Sequence, residues 1–105
     1  MAQFDVYANP DKGSQARIPY VVSLQSDLLD TLQHYVVAPL RATKDATVIP
    51  LLRLNPCVTV ESDAFYVRMQ DLATVPRAML KRPVANLAAQ RDELLAALDF
   101  LFTGY

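Results

Sequence analysis

The chain is poor in the residues that build most enzyme sites. It has one cysteine, one histidine and two glycines in 105 residues. A single cysteine excludes an intrachain disulfide and a cysteine-based metal site. The phosphate-binding loops of the P-loop and Rossmann types need more glycine than Gly13 and Gly104 supply. We therefore expect no metal site and no other cofactor.

The sequence also lacks a large excess of charge of one sign, and it lacks long apolar runs. The net charge is −1, whereas a protein that holds nucleic acid by its phosphates needs a clear positive excess. No apolar run reaches the roughly 18 residues of a membrane helix. The first residues, MAQFDVYANP, lack the basic and apolar regions of a secretory signal. We expect a single domain over residues 1–105, located in the cytoplasm and away from membranes.

Apolar and polar residues alternate in several short segments, which is typical of strands. The segment Gln3–Tyr7 is expected to be a half-buried strand with Tyr7 on its polar side. The cluster of turn formers after it predicts an exposed loop. Two further strand-like runs are Ile18–Leu24 and His34–Leu40, and the second is expected to close at Pro39.

The clearest hairpin lies in residues 57–70, where valines alternate with polar residues before a turn at Ser62 and Asp63. Cys57, at the edge of this strand pair, is expected to be a small buried hydrophobe. The lone histidine, His34, has no second histidine or cysteine near it in sequence, so a structural or surface role is favoured over catalysis or metal binding.

The pattern changes after Pro83, where residues 85–102 are almost all good helix formers. Asn86 is expected to cap this helix at its start, and Gly104 to end it in the left-handed conformation. Strands followed by one helix predict an α+β fold, in which a long C-terminal helix covers one face or end of an antiparallel sheet or partial barrel.

The most informative surface feature is a set of apolar side chains that have no candidate catalytic residues beside them. Leu28 and Leu29 are flanked by Ser26, Asp27 and Asp30, and the chain closes on Phe-Thr-Gly-Tyr. Exposed apolar patches with polar rims usually mark contacts between proteins. The sequence therefore favours an interaction protein over an enzyme.

Six segments in the same order resemble the CcdB family of bacterial toxins. They are QFDVY at residues 3–7, YVVSLQSDLLDT at 20–31, VVAPL at 36–40, QDLATVP at 70–76, PVANL at 83–87 and DFLFTGY at 99–105. Only residues 41–56 find no clear place in this resemblance.

The resemblance implies an SH3-like antiparallel β-barrel with a C-terminal helix, acting as a homodimer and not as an enzyme. Such toxins bind the A subunit of DNA gyrase and trap its cleaved-DNA complex. A CcdA-like antitoxin neutralises them, and the pair represses its own operon through the antitoxin. Contact with DNA would then be indirect, through the antitoxin or gyrase.

The resemblance also implies roles for individual residues. The family's gyrase contacts fall on Ser26, Leu28, Leu29, Asp99, Thr103, Gly104 and Tyr105; its antitoxin contacts fall on Asn9, Asp11, Lys12 and Arg17; and a dimer contact falls on Leu101 and Phe102. Thr103 stands where the family has tryptophan, and Asp99 stands where it usually has asparagine. Because threonine has no π face, the gyrase contact is expected to be weaker or to be repacked through Tyr105.

Two alternatives stay open. The first is a MazF-like toxin that cleaves mRNA on a related barrel, which would need a base, an acid and a cation gathered in one groove. The second is an inactive homologue that binds only the antitoxin, which the altered tail suggests.

Overall fold

The computed structural model describes residues 2–29, 31–51 and 53–104. Within them a nearly closed antiparallel sheet is followed by one α-helix, which confirms the expected α+β fold with an SH3-like barrel. The strands follow the order β4-β5-β3-β2-β1-β7, and β6 pairs with β3. The elements are β1 Asp5–Ala8, β2 Tyr20–Ser23, β3 His34–Ala42, β4 Cys57–Val60, β5 Asp63–Val67, β6 Ala73–Pro76, β7 Ala85–Asn86 and α1 Arg91–Thr103.

The long strand β3 changes partner halfway along one of its edges. It pairs with β6 from His34 to Val37 and with β5 from Leu40 to Ala42. Pro39 lies at the change of partner, where the Arg68 amide donates to its carbonyl at 2.9 Å. The missing N–H of proline therefore falls between two ladders instead of breaking one. The expectation that the strand closes at Pro39 is wrong for this reason.

The sheet buries side chains on both of its faces. One cluster, which includes Phe4, Val6 and Leu40, packs against α1. A second cluster on the opposite face joins Tyr7 to Val21, Tyr35, Val37 and Leu80. The first strand is therefore buried on both faces and not half-buried as expected, since Leu80 and the half-buried Ile18 cover Tyr7.

The hairpin of β4 and β5 forms as expected, with its turn one residue earlier. Val60 pairs with Asp63, so Glu61 and Ser62 make a two-residue loop. Their φ angles of 49° and 73° match the turn that suits the twist of a hairpin. Because the buried positions are Val58 and Val60, the alternation exposes Cys57, and its expected burial is wrong.

The helix begins at Arg91, five positions after the expected cap. Asn86 belongs to β7, where its side chain donates to the Asp5 carboxylate at 2.9 Å. It also accepts from the amide of Ala88 at 2.8 Å, in a local turn before the 3-10 turn Ala88–Gln90, whose N-cap is Leu87. The expectation that Asn86 caps α1 is therefore wrong. The buried face of α1 includes Leu94 and Ala97.

The connection from β3 to β4 is irregular and is ordered by two polar side chains. The Asp45 carboxylate accepts from the hydroxyl and the amide of Thr47 and binds the Arg41 guanidinium at 2.8 Å, and these bonds hold its pKa well below the usual range. Asn55 is buried at 3% exposure and donates to the Val67 carbonyl at 3.1 Å and to the Gln70 side chain at 2.7 Å. Its Oδ1 accepts from the Leu51 amide at 2.9 Å.

Replacement of Asn55 by alanine is expected to lower the free energy of unfolding by about 2 kcal/mol, because buried polar partners lose their bonds. Urea unfolding of the purified variant measures this. Gln33→Ala, at an exposed position, is the matched control and is expected to stay within about 0.5 kcal/mol of the unmodified protein. Equal stabilities of the two variants would contradict the role given to Asn55.

Stability is also expected to fall as pH rises above 10. Burial, with the Asp5 carboxylate nearby, raises the pKa of Tyr7 from 10 to about 12. Between these values the unfolded chain releases the phenolic proton and the folded chain keeps it, so alkali favours unfolding. Unfolding measured from pH 9 to pH 12 should therefore show a steeper loss of stability for the unmodified protein than for Tyr7→Phe. Parallel profiles would exclude this cause.

Candidate protein-binding surfaces

The first candidate surface is the 3-10 turn Asp27–Leu29, which we call the dileucine turn together with Ser26. The Ser26 hydroxyl accepts from the amide of Leu28 at 3.2 Å, and its carbonyl accepts from the amide of Leu29 at 2.9 Å. Leu28 is 89% exposed and Leu29 is 47% exposed. The structure thus brings three expected site residues together and directs a large apolar side chain into solvent.

The dileucine turn is attached to the rest of the fold through Gln3. The amide of Gln3 donates to the Asp27 carboxylate, and its side chain donates to the Leu24 carbonyl at 3.0 Å. The Oε1 atom of Gln3 accepts from Arg91 at 2.9 Å, at the start of α1. These bonds give an exposed apolar turn a fixed position, which lowers the entropy lost when it binds a partner.

The second candidate surface is the end of α1, residues 99–104. Asp99 is exposed, and its carbonyl accepts from the Thr103 hydroxyl at 2.5 Å. Gly104 has a φ of 78° and donates to the Phe100 carbonyl at 3.0 Å, so it ends the helix as expected. Phe102 is 71% exposed. Tyr105 lies outside the described residues.

The two expected dimer contacts differ in their surroundings. Leu101 is half-buried and packs against the main core. Phe102, the next residue, projects into solvent. Of the two, only Phe102 offers most of its side chain to another chain.

The two candidate surfaces lie at opposite ends of α1. The dileucine turn is bonded through Gln3 to Arg91, the first residue of the helix. Thr103, the last one, is about 18 Å farther along at 1.5 Å per residue. Within residues 2–29, 31–51 and 53–104, no hydrogen bond or ion pair joins the two surfaces.

Sequence reasoning missed further exposed apolar residues beside the helix end. Arg53 stacks over the ring of Phe100 at 4.4 Å from its centroid, which brings the β3–β4 connection to this end of α1. In that connection Ile49 is 79% exposed and Leu51 is 53% exposed. The segment VIPLLRLNP carries two prolines and no regular period, so no pattern could have indicated which of its side chains face solvent.

The loop from Asn9 to Arg17 contains the expected antitoxin contacts. Asp11, Lys12 and Arg17 are exposed, as expected. Asn9 is 5% exposed, and its side chain donates to Ser14 and to the Ile18 carbonyl, both at 2.9 Å. The expectation that Asn9 is exposed is therefore wrong. Its buried side chain stabilises the loop through these hydrogen bonds.

One groove among the described residues contains the single histidine. Its volume is about 500 Å³, and its lining includes Thr31, His34 and Arg77. The described part of the chain holds no group of three or more histidine, cysteine or carboxylate residues that could bind a metal. No helix in that part has the length and apolar character needed to cross a membrane.

Comparisons with known proteins identify the family of the chain and a neighbour with the same fold. The family model described as CcdB protein matches residues 3–104. Among solved structures, Mycobacterium tuberculosis toxin MazF-mt6 is similar to this chain with a TM-score of 0.65 and 23% sequence identity. The match covers 79% of this chain and 84% of that chain. At this identity the likeness shows a common fold and nothing more.

Replacement of Gly104 by alanine is expected to cost about 1 kcal/mol at the helix end, because an L side chain is strained at its positive φ. Amide hydrogen exchange of the last turn of α1 should become faster. Gly13→Ala is the matched control, since Gly13 has no positive φ and a Cβ there meets Asp11 at an ordinary 3.4 Å. Unchanged exchange in Gly104→Ala would argue against the cap.

Proposed function

The chain belongs to the CcdB family of toxins from toxin–antitoxin pairs, and on this basis we propose that it poisons DNA gyrase. In this proposal the protein binds the A subunit in the cytoplasm and holds the enzyme on cleaved DNA. A CcdA-like antitoxin reverses the effect. The match of the family model to residues 3–104 carries the proposal, since it spans nearly the whole chain.

The exposed apolar side chains support a role in binding. Leu28 stands on a turn that is fixed by hydrogen bonds, so it can enter a pocket of a partner with little loss of freedom. At the helix end, the Thr103 hydroxyl is bonded to its own helix, while Phe102 offers an exposed ring. We assign the aromatic contact at this end to Phe102, alongside Asp99, Gly104 and Tyr105.

The separation of the two candidate surfaces supports a homodimer. A target that touches both the dileucine turn and the helix end of one protomer must reach along the whole of α1. In a two-fold dimer, the surfaces of two protomers can face one symmetric target together. Leu101 is the residue we place nearest the dimer contact, which leaves the exposed ring of Phe102 to the target.

Replacement of Leu28 by aspartate is expected to reduce gyrase poisoning at least about ten-fold, because a carboxylate replaces the apolar anchor. The measurement is the amount of linear DNA released when purified gyrase and plasmid are incubated with the protein. Met79→Asp is the matched control, since Met79 is an apolar residue that is 49% exposed and lies outside the proposed contacts. It is expected to retain activity.

Three results would contradict this function. If the unmodified protein produces no cleaved-DNA complex and no growth arrest, the poisoning activity is absent. If it instead cuts purified mRNA at defined sequences, the ribonuclease alternative is favoured, and the groove with His34 and Arg77 becomes its candidate site. Binding of an antitoxin without either activity would indicate the inactive homologue.

A further inference from the structure

The groove at the end of the β3–β6 ladder contains no residue of the proposed gyrase, antitoxin or dimer contacts. Its volume is about 500 Å³, and it is lined by residues 31–34 and 76–78. Backbone pairing holds its two walls together, since His34 pairs with Pro76 and the Arg77 amide donates to the Gln33 carbonyl at 2.8 Å. We call this space the basic groove. A preformed groove of several hundred cubic ångströms is typical of small-molecule sites.

Two nitrogen-bearing side chains of the basic groove are not engaged elsewhere in the molecule. His34 and Arg77 are both exposed. In the part of the chain that the structure describes, neither side chain makes a hydrogen bond or an ion pair. A guanidinium presents a planar fork of donors that matches the two oxygens of a carboxylate, and an imidazole can donate one further hydrogen bond. The pair is therefore suited to an organic anion.

Asp5 is the carboxylate to be weighed against Arg77, because the charges of both act on Tyr7. Asp5 is 7% exposed and does not line the groove. It accepts hydrogen bonds from the Ala2 amide at 2.8 Å and from the Asn86 side chain at 2.9 Å. Within residues 2–29, 31–51 and 53–104 it forms no ion pair with Arg77. Asp5 therefore does not occupy the guanidinium that an anion would contact.

Two further cations follow the basic groove in sequence. Lys81 and Arg82 are exposed and lie outside the lining, where they add to the positive potential of this region. The lining residues themselves, 31–34 and 76–78, include no carboxylate. Asp30 precedes the first of them and lies outside the described residues. A variant of Asp30 is therefore part of the test.

The rest of the lining is largely apolar. Leu32 is 47% exposed, and Pro76 and Ala78 form the facing wall. A ligand gains free energy here when it covers apolar surface that water otherwise contacts. Inorganic phosphate and other fully polar anions do not make this gain. The groove thus fits a ligand that combines an anionic group with an apolar body.

We propose that the basic groove binds a small organic acid whose carboxylate is attached to an apolar body. The carboxylate pairs with Arg77 and accepts a hydrogen bond from His34, and the apolar body covers Leu32 and Pro76. This site goes beyond the proposed function, because its residues are separate from those of the gyrase contact. It can be tested without gyrase, so the two proposals can fail separately.

The test is a titration of the ¹⁵N-labelled full-length protein with 4-phenylbutyrate, followed by NMR. The amide resonances of Gln33, His34, Arg77 and Ala78 should shift together, with a dissociation constant that is roughly millimolar for a ligand of this size. The neutral 4-phenylbutyramide should bind at least about five-fold more weakly, because it cannot pair with the guanidinium. Acetate should also bind at least about ten-fold more weakly, because it lacks the apolar body.

Replacement of Arg77 by glutamine should weaken 4-phenylbutyrate about three- to ten-fold and leave the amide probe unchanged. Arg77→Lys keeps the charge without the fork, so it should recover part of the affinity. The matched control is Arg82→Gln, which removes the same charge from an exposed position outside the lining and should stay within about two-fold of the unmodified protein. The NMR spectrum of each variant also reports whether it is folded.

Four results would overturn the proposal. They are equal binding of 4-phenylbutyrate and its amide, shifts confined to residues outside the groove, equal affinities of Arg77→Gln and Arg82→Gln, and tighter binding of a short RNA than of 4-phenylbutyrate at the same amides. Asp30→Asn should leave the affinity within about two-fold. An increase of ten-fold or more would mean that Asp30 occupies Arg77 in the free protein, and it would also overturn the proposal.

Discussion

The fold depends on the pairing of β3 with three other strands. Along one edge it pairs with β2, and along the other it pairs first with β6 and then with β5. This arrangement fixes the dileucine turn, because that turn lies in the connection between β2 and β3. It also fixes β6 and with it one wall of the groove between β6 and the loop after β1. The positions of the surfaces that we assign to binding are thus set by the hydrogen bonds of one strand.

Much of the fold could be predicted because alternation and helix propensity are local properties. The hairpin of β4 and β5 and the amphipathic α1 needed no knowledge of distant residues. The errors occur where a distant element decides the outcome. Pro39 is tolerated because two partner strands meet beside it, and Tyr7 is buried because Leu80 lies over its face of the sheet. No window of neighbouring residues contains that information.

In the candidate surfaces too, local features could be predicted from the sequence, whereas features that depend on distant residues could not. The exposure of Leu28 could be predicted from its polar neighbours, and the structure places it at 89%. The burial of Asn9 could not, since it follows from bonds to Ser14 and Ile18 across a folded loop. The groove between β6 and the loop after β1 was missed for a similar reason. Asp11 and Asp71 are 60 positions apart in sequence, and only the sheet brings them to one space.

In the proposed function, the aromatic contact at the end of α1 passes from position 103 to its neighbour Phe102. A threonine in a helix often bonds to a carbonyl one turn earlier, and Thr103 does so with Asp99. Its side chain is thereby turned toward the backbone, and its hydroxyl is already satisfied. The ring of Phe102 stays 71% exposed one position before it. Burial of such a ring by a partner gains apolar contact area and allows an arginine to stack on its face. Moving the aromatic contact from position 103 to Phe102 rotates it by about 100° around the helix axis, which is the angle between successive residues. The contact would thus be displaced and not lost.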